Sequence, residues 1–271
     1  MKVVIFCGGL GLRLREHGDP VPKPMIRIGY RPILWHIMKY YAHHGHKDFV
    51  LCLGYKADVV KEYFLHYDET MSNDFVLRDG GRKVELLSSD IDDWRITFLD
   101  TGLHTSIGQR LRAARRHLEG EETFLASYGD CLTDAPLDEL VDDFRRRDAV
   151  ASFLSVQPNY PFSLVAQGHD GVVTGISDVQ GAGLWINGGY FILRQEIFDE
   201  LHEGEELVVE PFQRLIRSKR LLTYPYTGFW APMDTLVDFQ TLQRLADDPR
   251  PPWAVWRQDA TPLVPAVGRS A

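Results

Sequence analysis

Apolar residues change their spacing along this chain, and each change marks an element. Residues 3–6 form a continuous apolar run, long enough for a buried strand. Between Pro32 and His43, the residues Ile33, Leu34, Ile37, Met38 and Tyr41 recur at helical spacing. Pro32 suits a first helical turn and Gly45 a stop. Residues 49–53 read as a second buried strand, and 57–64 as a second helix. This β-α-β-α order predicts a parallel sheet with helices on both faces. Residues 66–99 break the rhythm. Short strands at 75–77, 84–87 and 95–99, separated by Asp79-Gly80-Gly81 and Ser88-Ser89-Asp90, predict an antiparallel insertion. A helix at 107–118 and a third core strand at 124–126 follow, the latter running into Tyr128-Gly129-Asp130. Then come a helix at 136–147, a strand at 149–156, and short strands around a His169-Asp170-Gly171 turn. A strand at 185–193, broken by Gly188-Gly189, precedes two last helices at 208–218 and 235–246. One α/β domain is expected over residues 1–246, with its insertion at about 66–99. The tail, 247–271, has five prolines and little periodicity, and reads as a strap or a loose end.

Bulk properties narrow the function classes. The 271 residues are 44% hydrophobic and 25% charged, a balance that supports a sizeable core. A formal net charge of −8 argues against coating nucleic acid, which needs a basic face. A small anionic ligand needs only a local basic pocket. The three cysteines, Cys7, Cys52 and Cys131, form no zinc or disulfide pattern. The chain opens directly on a strand, and no apolar run approaches the ~18 residues of a membrane span. A cytoplasmic protein without membrane or nucleic-acid partners is therefore expected.

Candidate chemistry begins after the first strand. Gly8, Gly9 and Gly11 follow it, then Arg13 and the run Pro22-Lys23-Pro24. Glycines there let backbone N–H groups approach a ligand, and the two cations point to an anion, most simply a polyphosphate. A glycine-rich turn beside surface cations is the plainer alternative. A dinucleotide fingerprint is disfavoured, because Leu14 stands where the third glycine belongs. Asp130 follows a buried strand, where a carboxylate facing a polyphosphate suits Mg²⁺; a turn or cap role competes. Asp234 offers a second carboxylate, or an N-cap for the last helix. Local sequence at Asn187 and Gly188 suits a β-bulge first and sugar hydroxyls second. Glu210 suits a sugar or a helix dipole. Arg110 lies at a helix start, where anions are favoured.

Taken together, these strings resemble the bacterial glucose-1-phosphate cytidylyltransferases of the sugar-1-phosphate nucleotidyltransferase superfamily. The resemblance rests on Gly8-Gly9-Leu10-Gly11, Pro22-Lys23-Pro24-Met25, Pro32-Ile33-Leu34-Trp35-His36-Ile37-Met38 and Leu53-Gly54-Tyr55-Lys56. It continues through Asp100-Thr101-Gly102, Tyr128-Gly129-Asp130, Trp185-Ile186-Asn187-Gly188-Gly189 and Pro232-Met233-Asp234-Thr235, in family order. It implies a Rossmann-like, mostly parallel sheet flanked by helices: the GT-A-like nucleotidyltransferase fold with antiparallel insertions. It implies a reaction of CTP with a sugar 1-phosphate, giving a CDP-sugar and pyrophosphate, with Mg²⁺. By the same likeness, Gly8, Gly9, Gly11, Arg13 and Lys23 hold the nucleotide. Arg110 contacts its phosphates, and Gly129 with Asp130 flanks it. Arg13, Lys23 and Asp130 carry the catalytic role. Asp130 and Asp234 ligate the metal, and Tyr128, Asn187, Gly188 and Glu210 line the acceptor side. A homo-oligomer is also implied.

Two departures from the family pattern stand out. Leu12 replaces a threonine beside the nucleotide. Ser177-Asp178-Val179 stands where the family has Glu-Lys-Pro, whose lysine contacts the sugar phosphate. An acidic residue there repels a phosphate dianion. The nucleotide half is thus better preserved than the acceptor half. The readings carried forward are an active enzyme with glucose 1-phosphate or a variant acceptor, such as a non-sugar phosphate or phosphonate, and a non-catalytic binding descendant.

Overall fold

The computed structural model describes residues 1–9, 21–158, 163–179 and 182–257. Its centre is a seven-stranded sheet: β1 (Lys2–Cys7), β2 (Asp48–Leu53), β3 (Arg95–Asp100), β4 (Thr123–Tyr128), β5 (Ala151–Val156), β6 (Ile186–Arg194) and β7 (Leu221–Tyr226). The spatial order is β7-β5-β6-β4-β1-β2-β3. Strand β1 pairs in parallel with both β2 and β4, β2 with β3, and β5 with β7. Only β6 runs against its neighbours, β4 and β5.

The helices are α1 (Ile33–His43), α2 (Ala57–Leu65), α3 (Ile107–Ala114), α4 (Leu137–Arg145), α5 (Ile197–Glu200), α6 (Glu210–Arg217) and α7 (Leu236–Ala246). Strand alternation divides the core between the two faces of the sheet. Val3, Ile5 and Cys7 of β1 join residues of α1, α4 and α7. Val4 and Phe6 join residues of α3, α5 and α6. This is the α/β, mostly parallel architecture that the periodicity predicts.

One boundary differs. Residues 95–99, expected within the antiparallel insertion, form β3, the parallel edge of the main sheet. An edge strand is covered incompletely, and Arg95–Asp100 is accordingly only partly buried, with Leu99 alone fully inside. The insertion proper is the antiparallel hairpin of Phe75–Arg78 with Lys83–Leu86. Arg31, itself buried, ties the preceding segment to the core. Its guanidinium donates to Ser72 Oγ at 2.5 Å and Asp68 O at 2.7 Å, and lies 4.1 Å from the Tyr67 ring centroid.

The tail through Arg257 is packed against the domain. Trp253 is 1% exposed, and its indole N–H donates to His36 Nδ1 at 3.2 Å. The His36 Nε2 lies 2.9 Å from the Ile28 carbonyl and must donate to it, which leaves Nδ1 as the acceptor. Residues 258–271 lie outside the described residues.

Candidate active site

The carboxyl ends of β1, β2 and β4 converge, and glycine follows each: Gly8, Gly54 and Gly129. Ligands of parallel α/β sheets sit outside such ends. The turns are packed so closely that a Cβ on Gly54 would stand 2.8 Å from the Gly8 carbonyl oxygen. One on Gly129 would stand 3.0 Å from that of Phe6, to which Gly129 N donates at 3.2 Å. Gly9 is exposed, with open space around it. Gly11 and Arg13, two of the sequence-level candidates, lie outside the described residues.

Lys23 opens a short 3₁₀ turn, Lys23–Met25, behind Pro22. Its ammonium donates to Asp130 Oδ2 at 2.6 Å and to Asp234 Oδ1 at 2.5 Å. Burial works against the lysine's charge, but the two carboxylates outweigh it and raise its pKa above the usual 10.5. Two carboxylates 107 and 211 positions away in the chain thus meet the lysine at one point.

The meeting is built into the backbone. Strand Cys131–Thr133 pairs antiparallel with Trp230–Pro232, setting Cys131 opposite Pro232. Beyond that pair, Met233 N donates to the Asp130 carbonyl at 2.9 Å. The N-cap of α7 is Thr235, which forms a capping box with Asp238. The Asp234 carboxylate is therefore not spent on the helix and points to Lys23.

Two carboxylates and one ammonium leave the cluster one negative charge in excess. Hard oxygen donors with residual negative charge suit Mg²⁺, which commonly takes one or two carboxylates and completes its shell with phosphate oxygens and water. The residues present therefore fit a divalent cation. Among the described residues no larger group of His, Cys, Asp and Glu has the arrangement of a metal cage.

Arg110 does something other than wait at a helix terminus. It is 3% exposed, and its guanidinium donates to Leu53 O, Thr101 Oγ1, Gly8 O and Leu103 O at 3.2, 2.5, 3.1 and 3.3 Å. It stitches the ends of β1 and β2 to the loop after β3, and burial lowers its pKa. The first turn of α3 is instead served by Ser106 Oγ, which accepts from Gln109 N, and by the Glu206 carboxylate, which accepts from Ile107 N at 3.2 Å. These four bonds of Arg110 go to neutral protein acceptors.

On the other flank, Asn187 Nδ2 donates to the Tyr128 hydroxyl at 3.3 Å, and Asn187 Oδ1 accepts from Gly189 N at 2.9 Å. Gly189 has φ +78°, a conformation that excludes most side chains, and its missing Cβ would stand 2.5 Å from the Tyr128 ring. The β5–β6 ladder is irregular between Phe153 and Ser155, opposite these glycines, so bulge and polar cluster coexist. Burial, followed by the charge of Glu206, raises the Tyr128 pKa to about 12. The Gly188 carbonyl accepts from Trp230 Nε1 at 2.8 Å. Glu210 begins α6, where its carboxylate accepts from Glu206 N at 3.1 Å. That contact is a helix-terminus role, and it does not join Glu210 to Tyr128 and Asn187.

Sequence reasoning missed Glu206 and the Cys131 thiol, which donates to Asp130 Oδ1 at 3.4 Å. Neither lies in a motif, so no local signal marked them. An open concavity of about 680 Å³, lined by residues including Tyr30, Ser72, Phe75 and Arg257, shares no residue with the Lys23 cluster.

Parallel-strand ends, glycine turns and a lysine between two distant carboxylates describe a phosphate-handling α/β enzyme. The chain belongs to the nucleotidyl transferase family, whose model matches residues 2–239. It is 36% identical over 257 residues to the glucose-1-phosphate cytidylyltransferase of Salmonella typhimurium, covering 94% of this chain and all of that protein. A probable glucose-1-phosphate cytidylyltransferase of Bacillus subtilis is 35% identical over 258 residues, with the same coverage. Among solved structures, a putative glucose-1-phosphate thymidylyltransferase from Bacillus anthracis superposes with a TM-score of 0.65 at 17% identity. It covers 92% of this chain and 96% of that one, a likeness of fold.

Proposed function

We propose that this nucleotidyltransferase joins CTP to a sugar 1-phosphate, giving a CDP-sugar and pyrophosphate. The observation that carries the reading is the convergence of Lys23, Asp130 and Asp234, in a chain that matches cytidylyltransferases over their whole length. In this reading an oxygen of the sugar phosphate attacks the α-phosphorus of CTP. A new P–O bond forms as the bond to the β-phosphate oxygen breaks, and pyrophosphate leaves with the electron pair. The nucleophile is already an anion, so no general base is required. Positioning and charge stabilisation supply the rate. Gly8, Gly9, Gly11, Arg13 and Gly129 line the nucleotide, and Lys23 offsets charge on its phosphates. Asp130 and Asp234 would hold Mg²⁺, which would supply further neutralisation of the triphosphate. Tyr128, Asn187 and Gly188 border the acceptor.

Asp178 favours a variant acceptor as the second reading. It ends the exposed strand Val173–Asp178, opposite Ser163, and stands where the resemblance places a phosphate-binding lysine. Self-association and action in the cytoplasm belong to the same proposal. Exposed Phe75, Leu77, Leu87, Val165 and Ile176 on two hairpin regions support the former.

The test is a screen of the four nucleoside triphosphates against sugar 1-phosphates and other phosphorylated or phosphonylated acceptors, with Mg²⁺, reading pyrophosphate. Release with CTP and glucose 1-phosphate is the expected result. Release only with another acceptor selects the second reading. CTP binding by calorimetry with no release from any pair overturns the enzyme in favour of a binding descendant.

A further inference from the structure

We infer that Cys131, anchored by Tyr190, is a positioning residue that holds the Asp130 carboxylate in its working orientation; this rests on the role proposed above for Asp130. The two oxygens of that carboxylate have different partners. Oδ2 accepts from the Lys23 ammonium at 2.6 Å, and Oδ1 accepts from the Cys131 thiol at 3.4 Å. A carboxylate tied through one oxygen to a flexible lysine can swivel about that tie. A second donor on the other oxygen stops the swing and keeps the group facing the point it shares with Asp234.

The Cys131 thiol is buried beside the carboxylate to which it donates. The backbone beneath it is pinned on both sides. The Tyr190 hydroxyl donates to the Cys131 carbonyl at 2.6 Å, and Met233 N donates to the Asp130 carbonyl at 2.9 Å. Tyr190 is itself packed against the rings of Tyr40 and Tyr41, with centroids 5.7 and 6.0 Å away. A rigid aromatic cluster thus reaches the candidate metal carboxylate through one residue.

The test titrates Mn²⁺ into the nucleotide-free full chain by electron paramagnetic resonance and measures kcat and KM for CTP across cation concentrations. The variants are Cys131→Ala, Cys131→Ser and Asp130→Asn. Loss of one weak bond to a charged group predicts about five-fold weaker Mn²⁺ binding in Cys131→Ala. The cation concentration for half-maximal rate rises by the same factor, while KM for CTP at saturating cation stays unchanged. Cys131→Ser keeps a donor and restores Mn²⁺ binding to the wild-type value. A merely structural cysteine would lower thermal stability in either variant without moving the cation dependence, and that result overturns the inference. Wild-type Mn²⁺ binding in Cys131→Ala with strong loss in Asp130→Asn also overturns it, and leaves the Asp130 assignment standing. Wild-type binding in Asp130→Asn overturns the metal assignment itself.

Discussion

Arg110 donates to the carbonyl oxygen of Gly8 at 3.1 Å, and its guanidinium fills the space that a side chain at Gly8 would need. A Cβ there would lie 1.9 Å from Nη1. The first glycine of the loop is therefore required by packing from below, and not only by a ligand above. Gly9, one residue on, has nothing within 4 Å of its own virtual Cβ.

That contrast predicts unequal effects of the same substitution. Gly8→Ala displaces a buried, fully bonded arginine and lowers stability by about 1–3 kcal/mol, the usual cost of overpacking. Gly9→Ala leaves thermal stability near wild type. Thermal melts of the two variants check this; equal melting temperatures would contradict the packing.

Asp130→Asn and Asp234→Asn each remove a charge from the Lys23 cluster. Each is expected to lower kcat at least about ten-fold and to weaken Mg²⁺ activation, in line with loss of a metal ligand or transition-state contact. Steady-state rates against Mg²⁺ concentration measure it. Near-normal turnover in either variant would remove that carboxylate from the chemistry.

The cluster also sets a pH dependence. The folded pKa of Lys23 lies above its unfolded value of 10.5, with burial opposing and the two carboxylates prevailing. Its contribution to stability is thus complete below about 10.5 and is lost as pH rises through the folded value. Urea unfolding between pH 8 and 11 should show a decline at the alkaline end that is smaller in Lys23→Met.

His36 acts at the other end of the scale. Burial above all lowers its pKa from 6.5 to about 4. The unfolded chain then binds more protons between those values, so stability falls as pH drops from about 6.5 to 4. His36→Gln should flatten that part of the profile, measured as melting temperature against pH. Its partner Trp253 is expected to be equally structural. Trp253→Ala should cost about 3–5 kcal/mol, because it empties a fully buried site.

Much of the fold was legible because its strands are buried on both faces and its helices are amphipathic. The 33–43 helix and the strands at 48–53 and 123–128 fall within a residue or two of their apolar runs. The exception, Arg95–Asp100, is only partly buried because it is an edge, and a short, partly apolar run does not distinguish a parallel edge from an antiparallel hairpin. Arg110 was legible in the sequence only as a charge. A charged residue at a helix start reads as an anion contact, and nothing local reveals that its side chain turns inward beneath Gly8.

The sequence by itself determined the layered α/β scaffold, the glycine turn after the first strand and the identities of Lys23, Asp130 and Asp234. Those features are local, set by periodicity, backbone freedom and charge. Only the tertiary structure decided that the three charges meet, that Thr235 caps the last helix so Asp234 can face the lysine, and that Cys131 and Tyr190 stand behind Asp130. The two carboxylates are brought together by strand pairing between residues about a hundred positions apart, which no spacing along the chain encodes.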